Sequence, residues 1–259
     1  MPKKMPYKGS SLHVLDLVCS PNFEPIMNSL LEGSGFRLAT SCCRRPCGRA
    51  CEAEGGEYKL EDYLRKHPID RLPMGLDRRW WIPHDGNRPN WDLLCHISKD
   101  DRQGLLIVEA KAHVGELAEN DMKGAPEKGN PRSEANDRQI RQRIVETNTA
   151  LTKLRVGEFK LSADSHYQLA NRLAYLTKLA NAGVPTVLMY LGFLRSPDWP
   201  HDPLNDHAHW EGVVKTYVTA VAPWAFVGST FDASNEGSMQ MIVQGVNPHG
   251  SVEHSLKVL

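Results

Sequence analysis

No stretch of these 259 residues approaches the roughly 20 consecutive apolar positions that a membrane-crossing helix requires. An excess of one charge is missing too. With 31 Lys and Arg against 31 Asp and Glu, no global positive field advertises a polyanion partner. That counts against a purely electrostatic nucleic-acid binder, but not against an enzyme with a local basic groove. The opening Met1-Pro-Lys-Lys-Met-Pro-Tyr-Lys8 is basic, yet no apolar segment or small-residue cleavage site follows, so it does not read as a secretory signal. Cysteine is scarce outside one cluster: four of the six lie between Cys42 and Cys51. This is unlike a disulfide framework spread over a secreted domain, and cytoplasmic residence is the expectation. Repeats and low-complexity tracts are absent, as are a Gly-rich phosphate loop, a nucleophile elbow and a dinucleotide fingerprint.

What is present fits a soluble enzyme domain. Hydrophobic residues make up 41% and charged residues 24%, ordinary values for a globular chain that can bury a substantial core. Two runs stand out. Gly104-Leu-Leu-Ile-Val-Glu109-Ala-Lys111 is an apolar strand ending in an acid, a spacer and a lysine, and Pro89-Asn-Trp-Asp92 opens a second run from Trp91 to Ile97. The polar Ser98-Lys-Asp-Asp-Arg-Gln103 between them can turn. In an antiparallel hairpin centred between Asp100 and Asp101, Asp92 faces Glu109 across the strands. Alternation of side chains then puts Asp92, Glu109 and Lys111 on one face.

Two adjacent carboxylates repel, and a hard divalent cation such as magnesium relieves the repulsion while accepting oxygen ligands. A lysine beside them can steer or deprotonate an attacking water, or neutralise charge on a phosphate. The plainer reading is a strand-edge ion pair of Glu109 and Lys111. Against it stands the rarity of charges within runs like Leu-Leu-Ile-Val-Glu-Ala-Lys-Ala unless they are paired or functional.

These residues resemble the signature of the PD-(D/E)xK, or restriction-endonuclease-like, nuclease superfamily, with Asp92, Glu109 and Lys111 at its acidic, acidic and lysine positions. Pro89 stands three places before Asp92, where the signature has its proline immediately before. The resemblance covers roughly residues 58 to 195. It implies an α/β fold whose central mixed sheet is flanked by helices, and magnesium- or manganese-dependent hydrolysis of nucleic-acid phosphodiesters, DNA ahead of RNA. Asp92, Glu109 and the Ala110 carbonyl would hold metal, and Lys111 would assist the attacking water. Glu61, or the nearby Glu57, could supply the further glutamate that some members bring from a preceding helix, and Glu116 an outer acid. The helix after the lysine strand often presents polar residues to the site, which nominates Gln168 and Arg172 for a phosphate or a metal-bound water. The alternative is a catalytically inactive nucleic-acid-binding or assembly module on the same fold. No membrane partner is implied, and a homo-oligomer is open. The division expected is an N-terminal helical and Cys-rich segment, 1–57, followed by a nuclease-like domain, 58–259, with a C-terminal extension.

Periodicity adds further elements. Helices are expected over Phe23 to Leu31, Tyr58 to Lys66, Glu134 to Arg155 and His166 to Ala182. Arg79-Trp-Trp-Ile-Pro83 reads as a first sheet strand, and Val184 to Leu194 as a strand in a sheet covered on both faces. The Gly- and Pro-rich stretch from Asn120 to Ser133 suggests a mobile excursion near the site. In the second long helix, Leu169, Leu173, Leu176 and Ala180 form the buried stripe, and Gln168, Arg172 and Tyr175 run beside it. Cys42, Cys43, Cys47 and Cys51 lack the paired spacing of zinc knuckles, so a structural metal there is the weaker reading. Reduced thiols on a basic loop with Arg44, Arg45 and Arg49 are the stronger one. His201, His207 and His209 could bind a transition metal, but Asp206 reads more simply as a helix N-cap that leaves the histidines on an exposed first turn.

Overall fold

The computed structural model describes residues 8–40, 43–47, 58–69, 79–117, 121–248 and 252–253. In chain order these form helices α1 (Ser10–Cys19) and α2 (Phe23–Leu30), strands β1 (Arg37–Leu38), β2 (Arg44–Arg45) and β3 (Tyr58–Lys59), and helix α3 (Leu60–Lys66). There follow β4 (Asn90–Trp91), β5 (Leu93–Lys99), β6 (Arg102–Lys111), α4 (Pro131–Thr152), α5 (Tyr167–Asn181) and β7 (Thr186–Phe193). The last elements are α6 (His207–Thr219), β8 (Thr230–Asp232), β9 (Ser238–Val246) and β10 (Val252–Glu253). The fold is α/β, with a mixed central sheet flanked by helices. Its main path runs β1-β5-β6-β7-β9-β10, with β2 also on β5 and β8 on β9.

The hairpin at the centre has the expected register. Leu93 pairs with Val108, and the ladder closes at Lys99 and Arg102. Asp100 and Asp101 form the two-residue turn, with φ of 48° and 60°. Positive φ at both positions is the backbone of a type I′ turn, whose twist matches that of the strands it joins. β7 then pairs parallel with β6, and β9 parallel with β7. A parallel return needs a crossover, and the chain from Ala112 to Pro185 supplies it with α4 and α5.

Alternation along the strands divides the interior in two. Leu94, Leu105, Ile107, Leu188 and Tyr190 point into a core shared with α4, α5 and α6. Leu93, Cys95, Leu106, Val108, Val187 and Met189 point the other way, against α1 and α2. β7 is buried along its whole length, as a strand covered on both faces should be.

Several expectations need correction. Arg79–Pro83 is not a sheet strand: Trp81 and Ile82 are buried, and Trp81 packs on Tyr175, so the apolar run serves the core through side chains alone. Residues 58–59 are a short strand before α3 begins at Leu60. α5 is interior on nearly every side: Arg172 and Tyr175, beside the apolar stripe, are buried along with its leucines. α1 and β9 have no counterpart among the expected elements. The described part of the 120–133 stretch is loop up to α4, held to α5 by Asp121, whose main-chain oxygen accepts from Tyr167 at 2.9 Å and whose carboxylate accepts from the Gln168 amide.

Asp206 does cap α6, its Oδ1 accepting from the His209 amide at 2.8 Å. Asp206→Ala should therefore lower stability by about 1 kcal/mol in urea unfolding. A change within error would show that this cap adds nothing. His207 is buried, not on an exposed turn, and His209 Nδ1 accepts from the Asn205 amide at 3.1 Å.

Candidate functional site

The face that carries Leu94, Leu105 and Ile107 into the core also carries Asp92, Glu109 and Lys111, because these continue the same alternation toward the open end of the hairpin. All three line one cavity of about 370 Å³. Its wall also includes Ala110, Asn90, Glu116, Gln168 and Arg172, and the start of α1 contributes Ser10 and Ser11. Asp92 Oδ2 accepts from the Ala110 amide at 2.8 Å, a bond that fixes the carboxylate beside the last turn of the ladder.

Glu109 is only 2% exposed, and each of its oxygens is held by a cation. Lys111 Nζ donates to Oε1. Arg172 approaches Oε2 through Nε at 2.7 Å and through Nη2 at 2.6 Å. Burial by itself would push the Glu109 carboxyl up, but the charges of Arg172 and Lys111 outweigh it and hold it below the ordinary glutamate range. For Lys111, burial works to lower the pKa; the charges of Glu109 and Asp92 prevail and raise it. The lysine is thus kept as an ammonium.

Arg172 lines the cavity, as expected from its helix. It is buried, and it also donates through Nη2 to the Asn90 carbonyl at 2.8 Å and through Nη1 to Asn171 Oδ1 at 2.8 Å. Its guanidinium lies over the Trp91 ring, 4.4 Å from the centroid. A fork that binds one carboxylate, one carbonyl and an aromatic face is positioned to orient Glu109. Gln168 lies at the cavity wall, as expected. Glu61 does not reach this cavity. Its Oε1 accepts from the Tyr175 hydroxyl at 3.0 Å and its Oε2 faces Arg88 at 3.6 Å, so the expected extra metal ligand instead ties α3 to α5. Glu116 lies on the wall, with Oε2 accepting from the Ala112 amide at 2.8 Å and Oε1 facing His113 at 3.6 Å.

Asp92 and Glu109 bring two carboxylates to one cavity wall, oxygen donors of the kind a hard cation such as magnesium takes. A carboxylate has about four lone-pair sites; at Glu109 three are taken, which leaves one on the Oε1 side. The donor set therefore fits a metal shared by Asp92 and Glu109. Among the described residues, no group of three or more His, Cys, Asp or Glu is arranged to hold a metal: Glu116 does not complete one with Asp92 and Glu109, and His201, His207 and His209 do not form one. In the cysteine cluster, Cys42 and Cys51, like Glu57 and Arg49, lie outside the described residues. Cys43 is free but Cys47 is disulfide-bonded. The expectation of reduced thiols fails at Cys47, and a sulfur in a disulfide offers no thiolate to a metal.

Ser10, Ser11 and Asn90 were not identified as site residues. The Ser10-Ser11 pair before an apolar run is a helix-start signal, but nothing in the sequence ties that helix to the hairpin. Compared with known proteins, the chain matches no family model, no curated protein and no solved structure.

Proposed function

We propose that this protein is a divalent-metal-dependent nuclease that hydrolyses nucleic-acid phosphodiester bonds, DNA ahead of RNA, on a restriction-endonuclease-like core. The observation that supports it most is the hairpin register, which sets Asp92, Glu109 and Lys111 on the wall of one cavity. Magnesium or manganese, when bound, polarises a phosphate oxygen and acidifies a coordinated water. Asp92 and Glu109 would hold the ion, with the Ala110 carbonyl as a further oxygen and Glu116 as an outer acid. Lys111 would assist the attacking water or neutralise charge that builds on the phosphate in the transition state. Arg172 would act through Glu109, fixing its carboxylate from behind.

The test is incubation of the purified protein with circular DNA, linear DNA and RNA, in EDTA and with magnesium or manganese. Cleavage should require the metal. It should be lost in Lys111→Ala, which leaves Glu109 paired with Arg172 and should still bind the ion in calorimetry. Cleavage in EDTA, or full activity in that variant, would overturn the mechanism. A second reading, a binding or assembly module on the same fold, draws on one observation: cations already sit on both oxygens of Glu109. It predicts strand binding with no magnesium uptake and no cleavage.

A further inference from the structure

A second polar cavity, of about 250 Å³, lies outside the Asp-Glu-Lys site, between the 79–88 loop and the start of α4. Arg79, Arg88, Arg132 and His84 line it, against one carboxylate, Asp85, among the described residues. The loop is held firmly to the helix. Asn136 Oδ1 accepts from the His84 amide at 3.0 Å, and its Nδ2 donates to the Asp85 carbonyl at 3.3 Å. Gln139 Nε2 donates to the carbonyls of Arg79 at 2.6 Å and Trp80 at 2.8 Å, and Arg143 Nε donates to Trp80 at 3.0 Å. At Gly86 a Cβ would come within 3.2 Å of Asn136 Nδ2, so loop and helix are in close contact there. The arginine side chains therefore project from a fixed backbone, which lowers the entropy lost when they grip a ligand.

Three guanidiniums around one cleft repel one another and favour an anion with several oxygens, for which their planar forks are suited. Asp85 and Glu61, which faces Arg88 at 3.6 Å, offset part of the charge. Arg132 has no ion-pair partner among the described residues. Two features extend the cleft. A neighbouring cavity of about 510 Å³ shares Asp85, Gly86 and Arg132 with it and reaches Lys123 and Tyr167, the residue before Gln168 on the wall of the first site. On the other side, Arg88 is four residues from Asp92, a separation that spans at most about 14 Å of backbone, and Asn90 between them lines the first site.

Resting on the nuclease reading, we infer that the Arg79–Arg88–Arg132 cleft is a backbone-binding subsite, where phosphates of a nucleic-acid strand dock outside the Asp92–Glu109–Lys111 cavity and next to it. The substrate is then a polymer long enough to occupy both places, not a mononucleotide or a dinucleotide.

The experiment is fluorescence anisotropy in EDTA, with labelled DNA and RNA strands of two and of sixteen nucleotides, over a series of salt concentrations. The proteins are the wild type, Arg132→Glu, Arg79→Glu/Arg132→Glu and, as a control for loss of positive charge, Lys153→Glu at the exposed far end of α4, whose binding should equal the wild type. The sixteen-nucleotide strand should bind well and the two-nucleotide strand poorly. The double variant should bind the long strand at least about tenfold more weakly, with a salt slope shallower by about 1.5, since each lost phosphate contact removes roughly 0.7 to 0.9 from the slope. Arg132→Glu should lie between; Arg132 is exposed, so its melting curve should match the wild type and its loss of affinity tests the cleft on its own, while Arg79 has a further partner whose loss the melting curve of the double variant reads. Long-strand affinity and slope unchanged in the double variant would overturn the inference, even if the wild type cleaves. A wild type that binds long strands through these arginines but never cleaves would sink the nuclease reading and leave the subsite standing. Equal binding of short and long strands, or none of either, would sink the subsite.

Discussion

Glu109→Ala should destabilise the protein by about 3–5 kcal/mol, the typical cost of leaving buried charges without their counter-ion. For a chain of this size that corresponds to a fall in melting temperature on the order of 10 °C. The cause is the environment of the carboxylate, with Lys111 on one oxygen and a buried Arg172 on the other. Removing the anion leaves the buried ammonium of Lys111 and guanidinium of Arg172 without the carboxylate between them. Loss of cleavage in this variant therefore says little about catalysis by itself. Glu109→Leu combined with Arg172→Met should recover much of the stability, because an apolar pair of similar volume leaves no uncompensated guanidinium. Urea unfolding checks both, and a Glu109→Ala midpoint within error of wild type would refute the account. The same carboxylate gives an acid limb. Its folded pKa is depressed, so its contribution is present above the unfolded value of about 4.3 and is lost as pH falls through the lower folded value. Glu109→Gln should flatten that part of the stability profile.

Asp92→Asn should have the opposite profile, with a large effect on chemistry and a small one on folding. The amide oxygen of asparagine can still accept from the Ala110 amide, the bond that Asp92 Oδ2 makes at 2.8 Å, so stability should change by less than about 1 kcal/mol. The anionic charge is gone, however, and on the proposed reading a hard cation would lose a ligand it shares with Glu109. Magnesium affinity should drop below detection in calorimetry, and strand cleavage should fall by about 10²- to 10³-fold. Strand binding in EDTA should persist, because the Arg79–Arg88–Arg132 cleft is untouched. Cleavage within a few-fold of wild type would exclude Asp92 from the reaction.

The hairpin was legible in the sequence because a short polar turn leaves few ways to pair two apolar strands. Once Asp100 and Asp101 form the loop, every cross-strand partner follows, including Asp92 opposite Glu109. The two long helices and β7 were legible from the spacing of their apolar residues. Arg79–Pro83 misled because aromatic and branched residues favour strands in general, while here Trp81 and Ile82 fill the core without joining a ladder. The role of Arg172 was hidden for a related reason. Periodicity marks one stripe of a helix as buried, but whether the neighbouring ridge is also covered depends on packing that only the assembled fold supplies. The same holds for Ser10 and Ser11, which meet residues about a hundred positions away.

The parallel pairing of β6 with β7 bears on the order of assembly. The hairpin contacts are local and can form as soon as Lys111 has left the ribosome, but Arg172 and β7 are synthesised some 60 to 80 residues later. Until then Glu109 belongs to a sheet edge that is still hydrated, with Lys111 as its nearby cation. Burial of the carboxylate thus coincides with closure of the long crossover, a step that high contact order makes slow. A nascent chain paused before residue 172 would hold the motif but not the pocket, so the chemistry is expected to switch on only after α5 and β7 have docked.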